Sequence, residues 1–163
     1  MAPEPAPGGL AVYLQRRVLA MLCLGFSAGL PFPLVFATLS AWLATAGVQK
    51  SSIGMFTWVG MTYSLKFLWA PLVDRVALPG LTAWLGRRRS WMLVAQAGVA
   101  AALLALSGAD PGGDLAHVAW LSLAVAFASA TQDISIDAWR IEAADAGLQG
   151  AMAAAYQFGY RLA

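Results

Sequence analysis

Lys66, Asp133, Asp137 and Arg161 stand inside stretches rich in alanine, leucine, valine, glycine and aromatic residues. An ionised side chain at the centre of a bilayer-spanning helix costs about 2.5–3.5 kcal/mol on insertion scales. Such groups persist where they face protein or a wet cavity, and there they mark paths for ions or substrates. The richest run is Thr131-Gln132-Asp133-Ile134-Ser135-Ile136-Asp137-Ala138-Trp139-Arg140. On a helix Asp133 and Asp137 share a face, Arg140 extends it, and Ser129 lies one turn above. Two carboxylates a turn apart in a low-dielectric setting compete for one proton, the chemistry a proton-coupled carrier needs. The plainer reading of Asp137 and Arg140 is an ordinary ion pair near the cytoplasmic boundary.

Lys66 comes eight residues before Asp74, which places it roughly 12 Å inside the membrane at 1.5 Å per helical residue. Its stem can snorkel over only part of that depth. It either faces a wet cavity, where it attracts an anion or pairs with a carboxylate, or it closes a structural ion pair. Arg161 follows Gln157 by one turn and has Tyr156 and Tyr160 beside it. Its guanidinium keeps its proton, so it must face polar partners: a carboxylate, sugar hydroxyls, or Asp133.

The elements that must hold these groups are membrane helices. Of 163 residues 60% are hydrophobic and 11% charged, against the 45–50% and 25% or so of soluble domains. A water-soluble globule and a disordered chain are both excluded. A net charge of +2 is too small for nucleic-acid binding through counterion release. Cys23 has no second cysteine to pair with, and one histidine cannot build a zinc site of the usual kind. There is no Ser-His-Asp set and no phosphate loop, so neither an enzyme nor a cofactor is expected.

The predicted fold is an all-α polytopic bundle with a disordered cytoplasmic tail over 1–17 and an incomplete transmembrane bundle over 18–163. Its spans are expected at 18–46, 53–73, 91–108, 117–137 and 147–163. From Val18 to Val48 no residue is charged, well beyond the ~20 residues one crossing needs. Pro31 and Pro33 remove backbone donors in the middle of this stretch, so a kink or break is expected there. The stretch is also too long for the apolar part of a cleaved signal peptide. Gly25, Gly29, Gly147, Gly150 and Gly159 are read as close-packing positions between helices. With the N-terminus inside, the cytoplasmic side carries Arg16, Arg17, Arg75, Arg87, Arg88, Arg89 and Arg140, and the outer side only Lys50. The positive-inside rule therefore sets that orientation. Between the second and third spans lie Asp74-Arg75 and Gly86-Arg87-Arg88-Arg89. An acid at a helix end facing a basic cluster can grip neighbouring helix ends through dipoles and salt bridges.

That loop resembles the signature of the major facilitator superfamily. Five segments together resemble the AmpG muropeptide permease family in order and spacing: Gly25–Pro31, Lys66–Arg75, Leu85–Arg89, Ala130–Ile134 with Asp137–Arg140, and Gly159–Leu162. The resemblance implies a bacterial inner-membrane carrier that imports anhydromuropeptides with protons for peptidoglycan recycling. It implies that Lys66, Gln132, Asp133, Asp137 and Arg161 line the substrate and proton pathway. Asp74, Arg75, Gly86, Arg87, Arg88 and Arg89 would then form a conformational loop. The implied partners are the bilayer, a glycopeptide substrate, and a C-terminal transporter half that a rocking-bundle cycle requires. On this reading the chain is an N-terminal fragment and inactive alone. The stretch Ala144–Gly150 departs from the family, which usually has an acid–arginine pair before its glycine. Two other readings stand beside this one: a carrier of another cargo, such as acetyl-CoA or a different anion, and a small structural membrane protein.

Overall fold

A computed structural model describes residues 9–163, and their regular structure is helical, with no strand among them. The all-α class expected from composition is what forms. Four helices are long: α1 (Arg16–Gly29), α2 (Arg87–Ser107), α3 (Leu115–Ala143) and α4 (Ala146–Leu162). Three stretches are long and apolar enough to cross a membrane: Arg16–Thr45, Arg87–Ser107 and Leu115–Ala143, with 30, 21 and 29 residues. Of the tail predicted over 1–17, residues 1–8 lie outside the described residues, and Gly9–Leu14 forms a 3-10 turn.

Two compact units divide the chain, with the boundary inside α3. The first comprises the chain up to Leu30 together with Ile136–Ala163. In it α1 packs on α4, and glycines set the separation. A β-carbon on Gly25 would strike the backbone of Tyr156, and one on Gly159 would strike the carbonyl of Leu22. Only hydrogen fits at these crossings. Gly147 and Gly150, grouped with them by sequence, have open space instead. Gln149 Nε2 folds back on the end of α3, donating to the carbonyls of Arg140 (3.0 Å) and Ala144 (2.8 Å).

The second unit is Pro31–Ser135. Its core joins Val35, Leu39 and Leu43 to Phe56, Val59, Leu106, Val118, Val125 and Ala126. α1 ends at Gly29 and Leu30 is a bend, the interruption expected at the prolines. Helix resumes at Pro31 and takes a π turn over Leu34–Thr38, in which the Leu39 amide reaches back to the Leu34 carbonyl. Ser40 Oγ bonds the Phe36 carbonyl at 2.5 Å within the same turn.

The stretch predicted as one span over 53–73 is a chain of short pieces. It runs as α-helix Lys50–Met55, 3-10 Phe56–Gly60, α-helix Met61–Leu65, 3-10 Lys66–Leu68 and α-helix Ala70–Arg75. Pro71 withholds an amide from the last junction. Tight 3-10 turns eclipse residues three apart, so Lys66 and Trp69 face the same way.

α3 starts where Asp114 Oδ1 accepts the His117 amide at 2.9 Å, the capping bond that satisfies a first-turn donor. α2 starts from Gly86 at φ 79°, ψ 160°, a conformation essentially reserved for glycine. Its carbonyl accepts Ser90 Oγ at 2.7 Å. Gly86→Ala should therefore cost about 1–3 kcal/mol, read as a lower midpoint when the chain in detergent is unfolded with SDS and followed by circular dichroism.

Candidate functional site

Lys66 and Asp133 come together in the second unit. Lys66 Nζ lies 3.9 Å from Asp133 Oδ2, with the side chains 35% and 14% exposed. Each charge offsets the cost of holding the other at depth. The 3-10 turn at Lys66–Leu68 delivers the lysine and the middle of α3 delivers the carboxylate.

Polar side chains near Asp133 in the sequence of α3 are buried too. Gln132, Ser129 and Ser135 are all 1% exposed or less. Ser135 Oγ donates to the Thr131 carbonyl at 3.1 Å, whereas Ser129 Oγ is buried with no hydrogen-bond partner. Trp69 is the contact that sequence reading passed over. Its indole nitrogen donates to Thr131 Oγ1 at 3.1 Å, and Thr131 Oγ1 in turn donates to the Phe127 carbonyl at 2.8 Å. The Trp69 and Phe127 rings stack at 4.8 Å with an interplanar angle of 32°. In the sequence Trp69 is one residue of the Lys66–Arg75 segment and no more. Its place three residues after Lys66 could have singled it out.

On the cytoplasmic-loop motif, Asp74 and Arg88 form a close ion pair within the same unit. Trp91 Nε1 adds a bond to the Val76 carbonyl at 2.9 Å, a second clasp that the motif did not predict. Arg75, Arg87 and Arg89 are exposed.

The remaining predicted residues belong to the first unit. Arg140 lies 3.7 Å from Asp137, one turn along α3, as the plainer reading expects. Arg161 sits exposed near the end of α4.

A charged pair held inside apolar helices is a functional-site candidate, and comparison with known proteins finds similarity to transporters. Residues 17–115 match the family model described as acetyl-coenzyme A transporter 1. The chain belongs to that transporter family. Within it the similarity runs to AmpG permeases. The chain is 41% identical over 153 residues to the anhydromuropeptide permease of Escherichia coli K12, a match that covers 94% of this chain and 30% of that protein. It is 35% identical over 151 residues to a Rickettsia felis protein bearing the AmpG 4 transporter name, covering 93% of this chain and 36% of the relative. A Haemophilus influenzae protein of uncharacterised function is 43% identical over 127 residues, covering 78% and 29%. This chain thus spans about a third of the length of the curated relatives it matches. No solved structure matches it. The resemblance to AmpG permeases is thereby shown. The chain is a multi-pass inner-membrane protein of a transporter family whose members are named for carriage, not catalysis.

Proposed function

We propose that this chain is the front part of a proton-coupled importer of anhydromuropeptides, GlcNAc-anhydroMurNAc with or without peptide, in the bacterial inner membrane. The observation that carries the reading is the Lys66–Asp133 pair, set in a chain 41% identical to a protein named anhydromuropeptide permease. The N-terminus lies on the cytoplasmic side, where seven arginines gather.

In the unloaded state Asp133 holds Lys66. A proton on Asp133 removes that attraction, and Lys66 turns to a carboxylate of the cargo. Departure of the proton to the cytoplasm restores the pair and expels the cargo, so proton and cargo move together. Gln132, Asp137 and Arg161 supply further hydrogen bonds and charge along the path. The Asp74–Arg88 clasp, with Arg75, Gly86, Arg87 and Arg89, holds one conformation closed at the cytoplasmic face. Alternating access needs a second bundle to rock against, so this chain alone carries nothing.

The test is uptake of labelled anhydromuropeptide into vesicles under an imposed proton gradient. A permease that begins with this sequence and extends to the length of its relatives should accumulate the label and lose it with a protonophore. Vesicles with this chain alone should match empty ones. Uptake by the longer protein that ignores the protonophore would remove the proton from the reading. A second cargo is favoured by the family match itself, described for acetyl-coenzyme A transport. Excess acetyl-CoA should leave muropeptide uptake unchanged, and strong competition would move the assignment to that anion.

A further inference from the structure

Lys66 does not sit on a regular α-helix. It occupies a 3-10 turn of three residues, Lys66–Leu68, the poorer of the two hydrogen-bonding geometries and one that rarely runs longer. The residue before it, Leu65, has φ −86° and ψ 0°, in the sparsely populated bridge region. The residue after the turn, Trp69, has φ −108° and ψ −3°, and one residue beyond it, after Ala70, comes Pro71, which has no amide to donate. A turn so weakly held by its own backbone needs an outside anchor if its lysine is to stay beside a chosen carboxylate.

Trp69 supplies such an anchor. Its indole nitrogen donates to Thr131 Oγ1 at 3.1 Å, and its ring stacks on Phe127 at 4.8 Å. Thr131 is itself fixed, since its hydroxyl donates to the Phe127 carbonyl at 2.8 Å. That chain of bonds ends on the helix that carries Asp133, two residues beyond Thr131. The 3-10 geometry puts Trp69 and Lys66 on the same side of the turn, so holding one fixes the approach of the other.

We propose that Trp69 is a positioning residue, whose indole N–H on Thr131 ties the Lys66 turn to α3 and sets the distance between Lys66 and Asp133. In this role Trp69 acts through the backbone it restrains. The inference deepens the transport reading above, where that pair is the exchangeable element, but the geometry is measurable without cargo or gradient.

The experiment is zero-length cross-linking of the full chain in detergent with dicyclohexylcarbodiimide. This reagent activates membrane-embedded carboxyl groups and joins them to an adjacent amine with loss of water. Mass spectrometry reads the Lys66–Asp133 amide, with Lys66→Met and Asp133→Asn as identity controls. Trp69→Phe keeps the ring against Phe127 and removes only the N–H. Thr131→Val keeps the shape and removes the acceptor, together with the hydroxyl's own bond to the Phe127 carbonyl within α3. Each should lower the cross-link yield about five-fold, the population change that loss of one hydrogen bond of ordinary net strength brings. The double variant should fall no further than Thr131→Val alone, because the indole bond is already lost in that variant. Modification of Asp133 by the reagent without cross-linking reports that its carboxyl is still reachable.

If Trp69→Phe and Thr131→Val both retain the wild-type yield, the ring only fills space and the positioning role is overturned. A wild-type chain that gives modified Asp133 but no amide to Lys66 overturns it equally. Failure of muropeptide uptake in the longer permease would defeat the transport reading and leave this result untouched.

Discussion

Gly159→Leu should separate α1 from α4 and cost about 3 kcal/mol or more, at the upper end of overpacking penalties. The penalty is high because the obstacles are backbone atoms. A β-carbon at 159 would meet the carbonyl of Leu22 and come within 2.9 Å of the Phe26 nitrogen, and neither can rotate away as a side chain could. The helices must part instead, and contacts at Gly25 and Gly29 loosen with them. Titration with SDS, read by circular dichroism and by protease sensitivity, should show an early transition for this variant. Gly147→Ala and Gly150→Ala make the control. Both lie in α4, and nothing stands within 4 Å of an added methyl group. These should gain about 0.5–1 kcal/mol, the helix preference for alanine over glycine. Equal losses at all three positions would mean that α4 does not pack on α1 through its glycine face.

Lys66→Met has the second large effect. It leaves the Asp133 carboxyl, 14% exposed, without the cation beside it, and should destabilise the chain by about 2–3 kcal/mol. Asp133→Asn is milder, near 1 kcal/mol, because a lysine that is one-third exposed can carry its charge toward water. In the double variant the charges vanish together, so much of the stability should return, with a coupling energy of at least about 1 kcal/mol. Uptake separates stability from function. In the longer permease each single variant should cut transport about a hundredfold, the equivalent of some 2.7 kcal/mol, and the double variant should stay inactive although stable. Recovery of uptake with stability would show the pair to be structural and defeat its place on the pathway.

Much of this was legible in the residues. Charge-free apolar runs led to the helices at Arg16–Thr45, Arg87–Ser107 and Leu115–Ala143, because length and apolarity alone decide that a helix can cross a bilayer. The pairing of Asp137 with Arg140 followed from helical spacing, and the clasp of Asp74 with Arg88 joins two halves of the loop motif that the sequence had put together. Lys66 and Asp133 were each singled out by cost at depth, but their meeting is tertiary and no local pattern encodes it. The fragmentation of residues 50–75 was illegible for a related reason. Glycines and one proline permit a change from α to 3-10 geometry, while packing against neighbours decides where it occurs. Trp69 was hidden because its bond to Thr131 is tertiary, although i,i+3 spacing already puts it on the Lys66 side in either winding. Gln149 was hidden because a glutamine that caps a helix end looks like any polar loop residue until the chain folds back.

The π turn at Leu34–Thr38 amounts to one residue more than regular winding needs. Each residue of an α-helix turns the next by about 100°, so an unabsorbed insertion would have swung Leu39 and Leu43 out of the core they help build. The wide turn takes up that rotation on the spot. Removal of a single residue within 34–38 should then let the segment relax to ordinary winding with its downstream faces preserved, whereas the same deletion at 41 or 42 would rotate whatever follows it. The site of tolerance to length change in this helix is thus a matter of winding number, not of composition.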